Sequence, residues 1–442
     1  MFYNRVPLLY TTPQMASEKF LVEGKKILKG TVTVSGSKNG TLPILCAALL
    51  SNKISVIRNV PDITDIHHLL KIFTYLHIQA TFENNTVTID PSGFVDELAL
   101  DGEGEKLICS MRGSILLLGP LLARHKNVRI PFPGGCVLGK RPVEAHFRAL
   151  EALGATIHDD EQQFLHLSRE RLKNNIIVMP EMSVTATENA LMVAAVIPAI
   201  TEIHLAAADP QVQDLCAFLK AFGVKIEGVG THFLKIEGIP QEQLPAVDYT
   251  IGGDYLEAGT FAIASAVTGG EVTIKGFETY QLESFWQKLA EVGVPFTLES
   301  HSISLFPAKE LCAVSQLRTA AYPSFPTDLQ APFAVLLTQA KGTSRIFETL
   351  FEGRLNYLFE LEKMGAKVQI LNQHEAIIEG PENLKAVPLS SLDLRAGAAM
   401  ILAALCAKGL TEISNINFID RGYENFEGKL RSLGATIQRQ AL

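Results

Sequence analysis

The sequence predicts an α/β protein, a two-domain inside-out α/β barrel built from six repeated units of about 70 residues with a charged cleft between the domains. Three observations predict it. A short glycine signature returns at near-constant spacing along the chain. Beside each copy lies a helix that is apolar on nearly every side. A second helix in each unit is amphipathic.

The signature reads as a helix end, then glycine and a small residue, then an alternating apolar strand. Its copies are Leu153-Gly154-Ala155-Thr156-Ile157, Phe222-Gly223-Val224-Lys225-Ile226, Val292-Gly293-Val294, Met364-Gly365-Ala366-Lys367-Val368 and Leu433-Gly434-Ala435-Thr436-Ile437, with Leu76-His77-Ile78 as a degenerate first copy. From position 77 the intervals are 77, 69, 70, 72 and 69 residues. The glycine is the expected left-handed helix cap ahead of a strand.

The all-apolar helices are expected at Leu42–Leu50, Ile115–Ala123, Ala190–Ile200, Ala258–Val267, Ala331–Leu337 and Ala396–Ala407. A helix without a polar face must be buried on every side, so three such helices per domain would be wrapped by sheets. The amphipathic helices, such as Glu144–Leu153 and Glu427–Leu433, belong on the surface. Ahead of the buried helices stand Lys38-Asn39, Arg112, Thr187-Glu188, Asp254 with Glu257, Asp328 with Gln330, and Asp393 with Arg395. Lys38, Arg112, Glu188, Asp254, Asp328 and Arg395 are 74, 76, 66, 74 and 67 residues apart, hence at nearly equivalent places in successive units. Thr187 and Asp254 fit ordinary N-caps. Cations at a helix start oppose the helix dipole, so Lys38, Arg112 and Arg395 point to a bound polyanion.

Composition narrows the function classes. Apolar residues make up 47% of the chain and charged residues 19%, which suits a packed protein and excludes disorder. A formal net charge of -8 argues against a nucleic-acid partner. Cysteines 46, 109, 136, 216, 312 and 406 are scattered without a CxxC pair, so neither a disulfide framework nor a metal site is indicated, no cofactor is called for, and a reducing cytoplasm is expected. The longest apolar runs fall below the roughly 18 residues of a membrane span, so no membrane partner is expected. Residues 1–14, ahead of Met15, read as an extension.

The most reactive-looking stretch is Pro133-Gly134-Gly135-Cys136, followed by Lys140 and Arg141-Pro142. Paired glycines let a backbone approach a ligand closely, and nearby cations favour a thiolate.

Together with Gly36-Ser37-Lys38-Asn39-Gly40-Thr41-Leu42-Pro43-Ile44, Met111-Arg112-Gly113-Ser114, Phe325-Pro326-Thr327-Asp328-Leu329-Gln330, Asp393-Leu394-Arg395-Ala396 and Asp420-Arg421-Gly422-Tyr423-Glu424, this loop resembles the enolpyruvyl transferases, in the branch whose acceptor is UDP-N-acetylglucosamine. The pieces run in the family's order from about residue 20 to the end of the chain. The resemblance implies residues 1–37 as an extension and first part of the C-terminal-type domain, 38–252 as the N-terminal domain carrying the Cys136 loop, and 253–442 as the C-terminal domain. It implies transfer of the enolpyruvyl group of phosphoenolpyruvate to the 3-hydroxyl of UDP-N-acetylglucosamine with release of phosphate, the committed entry to peptidoglycan precursors, by a monomer. Lys38, Asn39, Arg112, Arg141, Arg395 and Arg421 would bind phosphoenolpyruvate. Cys136 would deliver the proton to C3, and Asp328 would accept the hydroxyl proton. Asn39, Arg112, Asp328, Arg141-Pro142-Val143-Glu144-Ala145, Glu181-Met182-Ser183-Val184 and Leu350 would meet the nucleotide sugar.

Several segments depart from the family pattern. Arg-Pro-Val-Asp-Leu is commonly found where Glu144-Ala145 ends the segment here, and Lys stands in some members at Glu181. Ala-Arg-Glu-Pro-Glu becomes Ala207-Ala208-Asp209-Pro210-Gln211, Pro-Asp-Arg-Ile-Glu becomes Gly253-Asp254-Tyr255-Leu256-Glu257, and Phe-Glu-Asn-Arg-Phe becomes Phe351-Glu352-Gly353-Arg354-Leu355. These changes fall on the acceptor side or between domains. Two alternatives stay open: a paralogous enolpyruvyl transferase with another nucleotide acceptor, and a silent homologue that only binds nucleotide sugars.

Overall fold

The computed structural model describes residues 18–94, 102–134, 143–158 and 164–441. Among them the strands pair into six sheets, five of four strands and one of three. The winding is the same from sheet to sheet. A strand leads into an outer helix and a hairpin, and the hairpin's last strand returns antiparallel to the first. Ser55–Arg58, helix Thr64–Tyr75, Gln79–Glu83 and Thr86–Asp90 make one such set. In the final set the N-terminal strand Glu18–Glu23 sits between Leu410–Ser414 and Thr436–Ala441. Each four-stranded sheet gains one further strand in parallel, as Asp248–Thr250 does on Ser55–Arg58 and Lys29–Thr33 on Glu271–Lys275. Burial alternates along the strands, as in Glu271–Lys275, where only Val272 and Ile274 are buried, because one face of each sheet meets a core.

The turn from helix to hairpin takes positive φ at His77 (58°), Gly154 (103°), Gly223 (95°), Gly293 (93°), Gly365 (95°) and Gly434 (99°). Glycine enters that region without a Cβ clash, which is why the signature is legible in the sequence.

Buried apolar side chains form two clusters. One runs from Leu42 to Ile251. The other joins Phe20–Val34 to Tyr255–Ile437. Helices Lys38–Ala48, Leu118–Arg124 and Val184–Ala194 lie within the first, and Tyr255–Thr268, Gln330–Thr338 and Leu394–Cys406 within the second. From Arg395 to Cys406 every residue is buried.

Helix ends differ from the sequence expectation. The stretch expected at Ala190–Ile200 is a helix at Val184–Ala194, and Ile200 opens a strand. Arg112–Leu117 is a 3-10 turn feeding helix Leu118–Arg124. Thr187 and Glu188 therefore lie inside their helix. Apolar composition marks what is buried, not where a helix turns on, and at Val184 the start is set by extended Ser183.

The chain crosses between the clusters twice, at residues 34–38 and 251–254, and the crossings are tied by Ser37 N–H donating to Gly252 O at 2.8 Å and Asp254 N–H donating to Ser35 O at 2.8 Å. Gly36 and Gly253 bridge there. A Cβ on Gly36 would lie 1.7 Å from Asn59 O, and one on Gly253 would lie 1.8 Å from Gly276 O. Bare backbone is what lets each pass sit against the turn beside it, Gly36 against Asn59 and Gly253 against Gly276. Among the described residues no single helix is long and apolar enough to cross a membrane.

Candidate active site

The crossing brings two core helices tip to tip. Asp254 caps Tyr255–Thr268 by accepting from Leu256 N–H (2.8 Å) and Glu257 N–H (3.0 Å). Its other oxygen accepts from the Lys38 N–H at 3.3 Å, the first residue of the opposing helix. Asp393 caps Leu394–Cys406 in the same way, through Arg395 N–H and Ala396 N–H. Asp254 and Asp393 are thus caps, and they aim Lys38 and Arg395 into the gap between the clusters.

That gap is a cavity of about 570 Å³ walled by both halves of the chain. Two charge clusters face it. In the first, Asp65 bridges Lys38 Nζ (2.7 Å) and Arg421 Nε (2.8 Å), tying the two halves together. In the second, Asp328 bridges Arg354 Nη2 (2.7 Å) and Arg395 Nε (3.2 Å). Burial pushes each of these carboxyls up, but the flanking cations outweigh it and hold both below the usual carboxylate range. Asp328 lies deep in the protein yet is 26% exposed, because its exposed edge opens on the cavity.

These pairs correct one expectation. Lys38 and Arg395 do not need a ligand to offset their placement, since Asp65 and Asp328 already do so. Excess donor capacity nevertheless remains. Arg395 is 3% exposed, and its buried Nη1 has no acceptor among the described residues. An unsatisfied buried N–H of this kind costs about 1–3 kcal/mol, which a bound anion would recover.

A third group is acidic. Glu188, 1% exposed, lines the cavity with one carboxyl oxygen unpartnered among the described residues, and burial followed by the charge of Asp209 pushes it up. Asp209 is raised to about 6, first by burial and then by Asp328.

His146, 1% exposed, lines the same wall and is held down to about 3 by burial and by Arg112. The folded state therefore keeps it neutral while the unfolded chain takes up a proton below about 6.5. Stability from this residue is complete above that value and is lost as the pH falls toward 3. Between pH 7.5 and 4.5 it should amount to roughly 2–3 kcal/mol. Denaturant melts at the two pH values should show a shallower loss in His146→Gln than in the parent. An identical loss would rule out His146 as the source.

Of the residues expected at the site, Lys38, Asn39, Arg112, Glu181, Met182, Ser183, Val184, Asp328, Leu350, Arg395 and Arg421 all line the cavity. Val143 and Ala145 are instead buried in the first core, while Glu144 faces solvent and pairs with Arg148 at 2.8 Å. None of these three lines the cavity; the segment flanks it through His146. Gly135, Cys136, Arg141 and Pro142 lie outside the described residues. Sequence reasoning missed Asp65, His146 and Thr185. Asp65 sits in the first turn of helix Thr64–Tyr75, where an acid passes for a dipole partner, and His146 and Thr185 carry no local signal at all.

Fold and cleft thus set cations from both halves of the chain around one cavity between two α/β cores. The EPSP synthase (3-phosphoshikimate 1-carboxyvinyltransferase) family model matches residues 22–430, and the chain belongs to this family of enolpyruvyl transferases. It is similar to the UDP-N-acetylglucosamine 1-carboxyvinyltransferase of Chlorobium limicola, 42% identical over 96% of this chain and 98% of that one. The protein of the same name from Desulfatibacillum aliphaticivorans is 40% identical over 96% and 99%. Among solved structures, the enolpyruvyl transferase NikO from Streptomyces tendae superposes with a TM-score of 0.86 at 25% identity, covering 97% of this chain and all of that one. The EPSP synthase of Acinetobacter baumannii, at 18% identity and a TM-score of 0.71, shares the fold.

Proposed function

We propose that the protein transfers the enolpyruvyl group of phosphoenolpyruvate to the 3-hydroxyl of UDP-N-acetylglucosamine, releasing phosphate at the entry to peptidoglycan synthesis. The observation that carries this reading is the cavity into which Lys38, Arg112, Arg395 and Arg421 all open. The names of the relatives at 40–42% identity support the acceptor.

Phosphoenolpyruvate brings a phosphate and a carboxylate. Lys38 and Arg421, now held by Asp65, would turn to the phosphate together with Arg141. Arg395 would turn from Asp328 to the carboxylate, its free Nη1 included, and Arg112 would orient both substrates. This exchange has a chemical consequence. With two arginines on it, Asp328 is a weak base. Losing Arg395 to the substrate leaves Arg354 alone, so its basicity rises when the substrate is in place.

The sugar oxygen then adds to C2 as its proton passes to Asp328, and C3 gains a proton from Cys136. Asn39 would hold the tetrahedral adduct. Phosphate then leaves C2 with the proton held by Asp328, one C3 proton returns to the Cys136 thiolate, and the C2–C3 double bond re-forms as the enolpyruvyl ether. Glu181, Met182, Ser183, Val184 and Leu350, together with the Arg141–Ala145 segment, would form the nucleotide side.

The same reading takes the chain as six units in an inside-out α/β barrel, with domains at 38–252 and 253–442 and residues 1–37 contributing to the second. The common winding of the sheets and the two separate cores support it. It further takes the protein as a cytoplasmic monomer.

Phosphate release measured with UDP-N-acetylglucosamine against UMP tests the acceptor; faster turnover with UMP would make the chain a paralogue with a different acceptor. Cys136→Ser should be indifferent to a thiol-alkylating phosphoenolpyruvate mimic such as fosfomycin. Inactivation at the parent rate would remove Cys136 from the site.

A further inference from the structure

The wall beneath Arg112 contains a hydrogen-bond chain whose every direction is fixed by geometry. It begins at a donor that cannot accept: Gly119 N–H donates to Asn189 Oδ1 at 2.8 Å. This sets the amide orientation, so Asn189 Nδ2 must be the donor at both of its other contacts. One goes to Ile115 O at 2.9 Å and the other to His146 Nδ1 at 2.9 Å. His146 Nδ1 is therefore an acceptor. Burial and Arg112 keep the ring neutral, so its one proton sits on Nε2. Nε2 in turn lies 3.0 Å from Thr185 Oγ1, which must accept.

The consequence lands in the cavity. Thr185 lines it, in the first turn of helix Val184–Ala194. Its oxygen is occupied by the imidazole N–H, and its own proton has no acceptor among the described residues. The usual retreat for a helical threonine is the carbonyl four residues back, as Thr187 takes with Ser183 O at 2.8 Å. Thr185 has no such carbonyl, because Glu181 lies ahead of the N-cap Ser183 and its carbonyl accepts from Ser183 N–H at 2.8 Å.

We infer that Thr185 is a specificity-determining residue: its hydroxyl is held as a donor and serves a hydrogen-bond-accepting oxygen of the nucleotide-sugar acceptor, with His146 as the positioning residue behind it. The inference rests on the acceptor reading above and deepens it. A ligand group that offers only N–H or O–H at this point has just the second lone pair left and leaves the threonine proton unmet, so it is disfavoured. The accepting oxygens of such a ligand fall into two groups, those it shares with UDP and the acetamido carbonyl.

The test is calorimetric titration of the full chain with UDP, UDP-glucose and UDP-N-acetylglucosamine, using the parent, Thr185→Val and Thr185→Ser. Valine keeps the shape and removes the donor, and serine keeps the donor. Thr185→Val should weaken UDP-N-acetylglucosamine binding about tenfold, the ordinary worth of one hydrogen bond to an anionic or strongly polar oxygen. Thr185→Ser should restore most of it. A loss shared by all three ligands assigns an oxygen of the uridine diphosphate, and a loss confined to UDP-N-acetylglucosamine assigns the acetamide. The same Thr185→Val change made on a His146→Leu background should cost much less, since the hydroxyl is no longer held; a packing role would cost the same on both.

Parent-like affinity for all three ligands in Thr185→Val overturns the inference while leaving the acceptor reading intact. A parent that binds none of them overturns both.

Discussion

Asp328→Asn should lower kcat by roughly 100- to 10,000-fold, the span that a positioned general base ordinarily supplies, without raising the phosphoenolpyruvate KM. The split follows from the geometry. In the free protein Asp328 occupies Arg354 and Arg395, both buried, and competes with the substrate carboxylate for the second. An asparagine removes the proton acceptor and at the same time surrenders Arg395, so binding of the anion is kept or improved while chemistry stops. The same change leaves two buried guanidiniums short of a counterion. Breaking a buried ion pair costs about 3–5 kcal/mol, and the cavity water reaching this carboxyl reduces that, so a modest drop in Tm should accompany the loss of turnover. Phosphate release at saturating substrates reads the first effect and a thermal melt reads the second. Turnover within a few-fold of the parent in Asp328→Asn would remove this residue from the chemistry, whatever happened to the melt.

Lys38→Ala should act at the other end of the same substrate. Lys38 Nζ lies 2.7 Å from Asp65 and shares that carboxylate with Arg421. When a phosphate replaces Asp65, each charge-assisted hydrogen bond to it is worth about 1.5–3 kcal/mol, or about ten- to a hundredfold. Loss of Lys38 should therefore raise the phosphoenolpyruvate KM and lower kcat by factors of that order, because the same cation stabilises the leaving phosphate. Arginine should restore little, since its planar fork replaces a compact charge in a site closed by Asp65 and Arg421. Initial rates over a phosphoenolpyruvate titration decide the matter. Unchanged kcat and KM in Lys38→Ala would show that the helix tip is structural.

Much of the cleft was legible because its parts are periodic. Lys38, Arg112, Asp328 and Arg395 occupy matching places ahead of apolar helices, and tertiary structure gathers all four on one cavity. Asp65 and His146 were not legible, for a physical reason. Each looks like an ordinary helix residue until the partner from a distant segment is seen: Arg421 lies 356 residues beyond Asp65, and Asn189 lies 43 beyond His146. The helix boundaries failed differently. At Val184 the start is decided by where the chain stops being extended, and the apolar run Ala190–Ile200 begins inside that helix and continues past its end at Ala194.

The sequence by itself determined the α/β class and the near-70-residue spacing, because glycine at positive φ and all-round apolar helices are properties of local residues. Only the tertiary structure decided which carboxylate neutralises which cation and which proton His146 keeps. Those outcomes depend on distances between segments tens to hundreds of residues apart and on burial, and neither is written in any one stretch of the chain.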